Sequence, residues 1–275
     1  MRSSSSVPQK VIEYVSKNET VSIEDIAKDL GVSWITAKNY LSRLARMEIV
    51  KRVGRGVYQR RKRSTTIVKP TPELIRLGQD LRERFPMADF VVWSLNMLGD
   101  YAHYAVGRDL IFVETSKMLS ASIRDALLEK GYHVVLRPYK RDFQEYAYYP
   151  EQPIFILERK ELYGLVWFEN NLIPTPERIW LDLYFLTTRM DLSFDLFELG
   201  LIFANMVERD GINFDRLLRY AGRRGLFREM LIFLYSLKRE GTRIGSRVPE
   251  DVLWIRREKE TLRNVLTMVK GADKE

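Results

Sequence analysis

Along the first sixty residues, apolar positions recur at helical spacing and stop at turn-forming residues. Val7, Val11, Ile12 and Val15 share one face, so the spacing predicts a helix over 7–17. In "TVSIEDIAKDLG", Ile23, Ile26 and Leu30 form the next stripe. Ser22 is the expected N-cap, Asp25 completes a capping-box pattern three residues on, and Gly31 ends the helix. After the turn "GVS", Ser33 is expected to cap a third helix with Ala37, Tyr40, Leu41 and Leu44 facing inward. Its opposite face shows Trp34, Thr36, Lys38, Asn39 and Arg43. The period then changes to short β runs over 49–53 and 57–60, around "GRG", where Gly54 and Gly56 permit a tight turn.

Two short helices joined by a three-residue turn, the second with a polar and basic outer face, make a helix-turn-helix, whose second helix enters the DNA major groove. The glycine hairpin makes a wing, with Arg52, Arg55, Arg60 and Arg61 available for phosphate or minor-groove contact. These residues resemble the winged helix-turn-helix family of transcription regulators over roughly the first 60 positions. Charge supports the same reading. Residues 1–63 hold 14 Lys and Arg against 6 Asp and Glu, so the whole net charge of +8 lies there and the remaining 212 residues are neutral. On the reading helix, Ser33, Trp34, Thr36, Lys38, Asn39 and Arg43 are the expected DNA contacts. Trp34 admits two roles, a base or sugar contact and a prop against the first helix.

Residues 64–72, with two prolines in "RSTTIVKPTP", read as a linker. A helix over 72–85 follows, with Thr71 as cap and Pro72 at its first position. "DFVVWS", "DLIFVET", "YHVVLRP" and "PIFILER" are four short apolar runs with a helix between the second and third, so 73–173 read as a small α/β sheet domain with at least one β-α-β crossover. From 174 the pattern turns helical. Helices capped at Thr175, Ser193 and Asn213, a further one over "LFREMLIFLYSLKREG" and a last one over about 249–269 predict a C-terminal α-helical bundle spanning 174–275. The fold class expected is mixed α+β: an N-terminal winged helix domain, a small α/β sheet domain and the bundle.

The chain has no cysteine, which excludes disulfides, zinc-thiolate sites and cysteine nucleophiles. His103 and His133 stand apart, without a metal-ligand pattern, and His103 reads as a structural hydrogen-bonding residue. Phosphate-binding glycine loops and a nucleophile elbow are missing, so neither a metal nor a cofactor is expected. The strongest enzymatic pattern is Glu158-Arg159-Lys160 at a strand end, with Asp109 as an upstream ligand, in the manner of metal-dependent nucleases. Arg216, Arg219 and Arg223 share a helical face, with Arg224 beside them. This stripe is open to three readings: a solvated face, a contact for a partner's acidic patch, and a second nucleic-acid contact. No signal peptide and no run of 18 apolar residues occurs, which predicts a cytoplasmic protein without a membrane span. An Arg-rich chain with 30% charged residues and no cysteine points toward a thermophilic source.

Taken in order, "VVWSLNML…YAHY", "DLIFVET", "IPTPERIWLDL" and "INFDRLLRYAGRRG" resemble the AbiEi family, the antitoxins and transcription regulators of type IV toxin–antitoxin systems. That resemblance implies an N-terminal domain that represses its own operon and a C-terminal part that counters a nucleotidyltransferase-like toxin. Arg216, Arg219, Arg223 and Arg224 then become the partner-facing residues. The partners expected are double-stranded operator DNA, that toxin and a second copy of the chain. Two alternatives stand beside this: a nuclease-like enzyme delivered by the winged helix, and a stand-alone regulator without a toxin.

Overall fold

Local rules build the N-terminal domain almost unaided. The computed structural model describes residues 7–47, 49–60, 68–102, 109–168, 171–210, 212–239 and 243–248. Helix α1 (Gln9–Lys17) buries Val11, Ile12 and Val15. Strand β1 (Thr20–Ser22) leads into α2 (Ile23–Asp29) through the predicted capping box. Ser22 Oγ accepts from the Asp25 N–H at 3.0 Å, and the Asp25 carboxylate accepts from the Ser22 N–H at 2.9 Å. Gly31 turns the chain at φ +63°, a region that L side chains rarely adopt. Helix α3 (Trp34–Arg46) follows and buries Ala37, Tyr40, Leu41 and Leu44, the four inward positions expected. Strands β2 (Val50–Gly54) and β3 (Val57–Arg60) pair antiparallel with a bulge between Arg52 and Gly54. β1 pairs with the other side of β3, Val21 opposite Tyr58, so the wing is a three-stranded sheet in the order β1-β3-β2.

All four apolar runs of the middle region are strands. Helix α4 (Pro72–Arg84), capped by Thr71, precedes β4 (Phe90–Ser94). Then come a 3-10 turn (Leu95–Tyr101), β5 (Ile111–Thr115), α5 (Lys117–Glu129), β6 (His133–Leu136), α6 (Lys140–Glu145) and β7 (Pro153–Glu158). The sheet order is β4-β5-β7-β6. β4 runs antiparallel to β5, and β5, β7 and β6 are mutually parallel, as β-α-β crossovers require. Aromatic side chains pack on it: Trp93 stacks on Phe112 at 4.3 Å between ring centroids, and Phe143 of α6 meets Phe155 in a tilted pair at 4.8 Å. A hairpin of β8 (Leu165–Phe168) and β9 (Asn171–Pro174) comes next, which the sequence pattern does not announce. Every residue of β9 is buried, so it lacks the alternation of a half-exposed strand.

Helix α7 (Pro176–Arg189) is held to this sheet by charge. Glu114 on β5 is wholly buried. It accepts from the Arg178 guanidinium of α7, from Trp93 Nε1 at 3.3 Å and from Arg159 at 3.2 Å. Arg178 also donates to Asp182 at 3.3 Å and to the Tyr163 carbonyl. Helix α7, grouped by its pattern with the later helices, is thus tied into the sheet domain.

The chain gathers into two compact units, Met1–Phe203 and Ala204–Glu275, with α8 (Leu196–Asp210) running through the division. In the second unit α9 (Phe214–Arg224) starts at Asn213, whose side chain accepts from the Arg216 N–H at 2.8 Å, and closes at Gly225 with φ +72°. It packs on α10 (Phe227–Arg239). A 3-10 turn (Gly245–Arg247) follows, and Arg247 donates to the Val207 and Glu208 carbonyls near the end of α8, at 2.7 and 3.1 Å. The helix expected over 249–269 and His103 lie outside the described residues. Mixed α and β structure, with the winged helix first and helices last, is the architecture observed.

Gly78 sits in the middle of α4 because Asn171 of β9 occupies the space beside it. A Cβ there would meet Asn171 Oδ1 at 2.6 Å. The carboxamide cannot simply retreat, since it is buried and donates to the Ile75 carbonyl at 3.2 Å. Ordinary helix propensity favours alanine over glycine by about 1 kcal/mol. We expect the opposite sign here: Gly78→Ala destabilises, by roughly 1–3 kcal/mol from overpacking. Urea denaturation of the two proteins checks this, and a stabilised variant would refute it.

Candidate nucleic-acid interface

The first two turns of α3 present an open surface. Ser33 Oγ accepts from the Thr36 N–H at 3.1 Å and lies 2.8 Å from Thr36 Oγ1, so both hydroxyls are spent on the cap. Trp34 is half exposed, and the Lys38 ammonium lies 5.4 Å above its ring. Lys38 and Asn39 are exposed. No acidic residue stands in the first turn, so the positive end of the helix is unopposed there.

The later flank of α3 is occupied. Arg43 ion-pairs with Asp89, which immediately precedes β4, and the two side chains are only 24% and 13% exposed. Burial raises the Asp89 carboxyl above its ordinary range, opposed by Arg43, by the Val7 N–H and by Arg82. Arg82 in turn stacks over Phe90 at 4.2 Å, and burial pushes it down to about 10, still a cation at neutral pH. Arg43 therefore joins the winged helix to the sheet domain, a partnership between residues too distant in sequence to announce it. Trp167 of β8 makes a second joint by packing against the winged-helix core.

On the wing, Arg55 is exposed at the turn, and Lys51 and Arg52 are exposed on β2, with Arg52 Nε donating to the Gly54 carbonyl at 3.1 Å. The Ile23 N–H donates to the Gly56 carbonyl at 2.9 Å, which anchors the turn to α2. Arg60 is exposed too, and its guanidinium donates to the Ser16 carbonyl, tying β3 to the end of α1. Arg61 lies outside the described residues. From Ser33 to Arg63 the sequence carries ten Lys and Arg against Glu48 alone, so helix and wing share one sign of charge. Sequence reasoning missed two residues on this surface. Ile35 and Arg46 are exposed on the outer line of α3, in register with Asn39 at i, i+4 and i+11, and that spacing was the available signal.

The other expected sites are placed as follows. On α9, Arg219 and Arg223 are exposed and Arg216 and Arg224 half-buried, and all four make interactions within the chain. Asp109 and Glu158 do not meet. In the parallel register Thr115 stands opposite Glu158 while Asp109 precedes the far end of β5, so the two carboxylates are about 20 Å apart. Asp109 instead accepts from the Asn96 N–H at 2.9 Å, and Glu158 from Ser120 Oγ at 2.6 Å and Arg137 Nε at 2.7 Å. The Ser120 hydrogen bond, with Arg137 beside it, holds the Glu158 carboxyl below its usual range. Among the described residues no helix is long and apolar enough to cross a membrane.

Residues 8–51 match the winged helix-turn-helix DNA-binding domain, and residues 36–240 match a family of unknown function, DUF6577. Curated proteins give no match. The N-terminal module is thus a winged helix-turn-helix DNA-binding domain. The Arg43–Asp89 joint is open to a double-mutant cycle. Arg43→Met, Asp89→Asn and the pair together are expected to reveal a coupling of about 1–3 kcal/mol in denaturation experiments. Additive losses would remove the joint.

Proposed function

The chain belongs to the DUF6577 family, and we propose that it is a transcription regulator that represses its own operon and serves as the antitoxin of a type IV toxin–antitoxin pair. The observation that carries the regulatory part is the open first half of α3 beside a wing of like charge. The helix reads base edges through Lys38 and Asn39, and the wing neutralises phosphates through Lys51, Arg52 and Arg55. The protein works where the DNA is, in the cytoplasm, and without catalysis. The separation of about 20 Å between Asp109 and Glu158 argues against the nuclease-like pairing of these two carboxylates.

Duplex binding by the full chain is expected to weaken steeply with salt, with a slope of about 0.9 in log K per phosphate contacted. Arg55→Gln should lower that slope by about one and weaken all sequences alike. Asn39→Ala should relax sequence preference by roughly 1–3 kcal/mol. Gel-shift titrations across salt check both, and equal losses of discrimination from the two variants would undo the division of labour.

The antitoxin part rests on the resemblance of "INFDRLLRYAGRRG" and on the basic face that this segment gives α9. Replacing Arg219, Arg223 and Arg224 with Gln is expected to abolish rescue of cells from a co-expressed nucleotidyltransferase-like toxin with operator binding retained; a large drop in melting temperature would instead assign these residues a structural role within the chain. Undiminished rescue would leave a stand-alone regulator as the better reading.

A further inference from the structure

Resting on the DNA-binding reading above, a sharper statement concerns which bases α3 meets. Ile35 is 68% exposed in the first turn of the helix. The core face of α3 is Ala37, Tyr40, Leu41 and Leu44. At 3.6 residues per turn the line opposite that face runs through Ile35, Asn39, Ser42 and Arg46. Ile35 is therefore not a strayed core residue. It stands at the centre of the surface that enters the groove, one turn before the exposed Asn39. The neighbouring Trp34 ring lies on the flank under Lys38, which leaves Ile35 at the front. Recognition helices contact base edges through their first turns, where a short branched side chain can reach.

In the major groove only thymine offers an apolar group, its C5 methyl, and a carboxamide pairs bidentately with adenine N6 and N7. We propose that Ile35 packs on a thymine methyl and Asn39 reads an adjacent adenine, so that the site contacted by the first two turns of α3 is an A·T step. Apolar contact with the methyl would compensate for the exposure of Ile35 in the free protein. Arg43, which would extend the contact toward the end of the helix, is held by Asp89.

The test uses the full chain and synthetic duplexes with a randomised core, enriched by rounds of binding at low salt. Enriched duplexes are remade with deoxyuridine in place of thymidine, which keeps every hydrogen-bonding group and removes the methyl. The wild-type protein is expected to lose about five- to tenfold in affinity on this change. Ile35→Ala, whose melting temperature should be unchanged, is expected to bind both duplexes alike and at the weakened level. Equal binding of thymine and uracil duplexes by the wild type overturns the proposal, and an altered oligomeric state of Ile35→Ala in that case would mark the residue as a self-contact. Should no duplex enrich at low salt, the DNA-binding reading itself fails and this proposal with it.

Discussion

A carboxylate sealed in a sheet must be met by cations at a fixed place, and Glu114 imposes that demand on most of the first unit. Its full burial makes the ionised group expensive unless several donors converge on it. Arg178, Arg159 and Trp93 supply them from α7, from the end of β7 and from β4. The buried charge thus adds a directional constraint on α7 to the apolar packing of Ile179, Trp180, Leu181, Leu183 and Leu186. Because β8 and β9 lead directly into α7, their placement follows. Trp167 on β8 then packs against the core of the winged helix. Cation, helix, hairpin and DNA-binding domain form one mechanical series.

Arg43 and Asp89 complete that series from the other side. The recognition helix has two halves with different employment. Its first turns face solvent, while its later flank is committed to the sheet domain. Under the proposed function, sequence discrimination falls to a few side chains near the N-terminus of α3 and general affinity to the wing. A reading head fixed at two points loses less freedom on binding than one swinging on a linker, so more of its contact energy appears as affinity.

The parts legible in the sequence are those whose physics is local. Ser22 with Asp25, Ser33, Thr71 with Pro72, and Asn213 with Gly225 each declare a helix end within a few residues. The four runs around Val91, Phe112, Val135 and Phe155 declare strands by composition, three of them buried and the edge strand β6 half-buried. Pairings between distant segments leave no such mark. β1 is three residues long and exists through β3, and β9 hides its strand character by being buried throughout. At the candidate interface, Lys38, Asn39 and Arg55, picked out by basic and polar identity, are exposed, and that criterion passed over the equally exposed Ile35 because it is apolar. It also assigned Arg43 and Arg60 to DNA; the structure pairs Arg43 with Asp89, and Arg60 stays exposed while one of its nitrogens donates to the Ser16 carbonyl.

Three of the five tryptophans differ sharply in their access to water. Trp93 and Trp180 are sealed at 0% and 2% exposure, whereas Trp34 stands 50% exposed on the reading helix under a lysine ammonium. An indole in that setting emits toward the red and is open to collisional quenchers in solution, while the sealed pair emits toward the blue and is shielded from them. With Trp167 and Trp254 replaced by Phe, the fold would carry an optical label on its reading surface and an internal standard in its interior, so that occupancy of that surface would be read in the protein's own fluorescence.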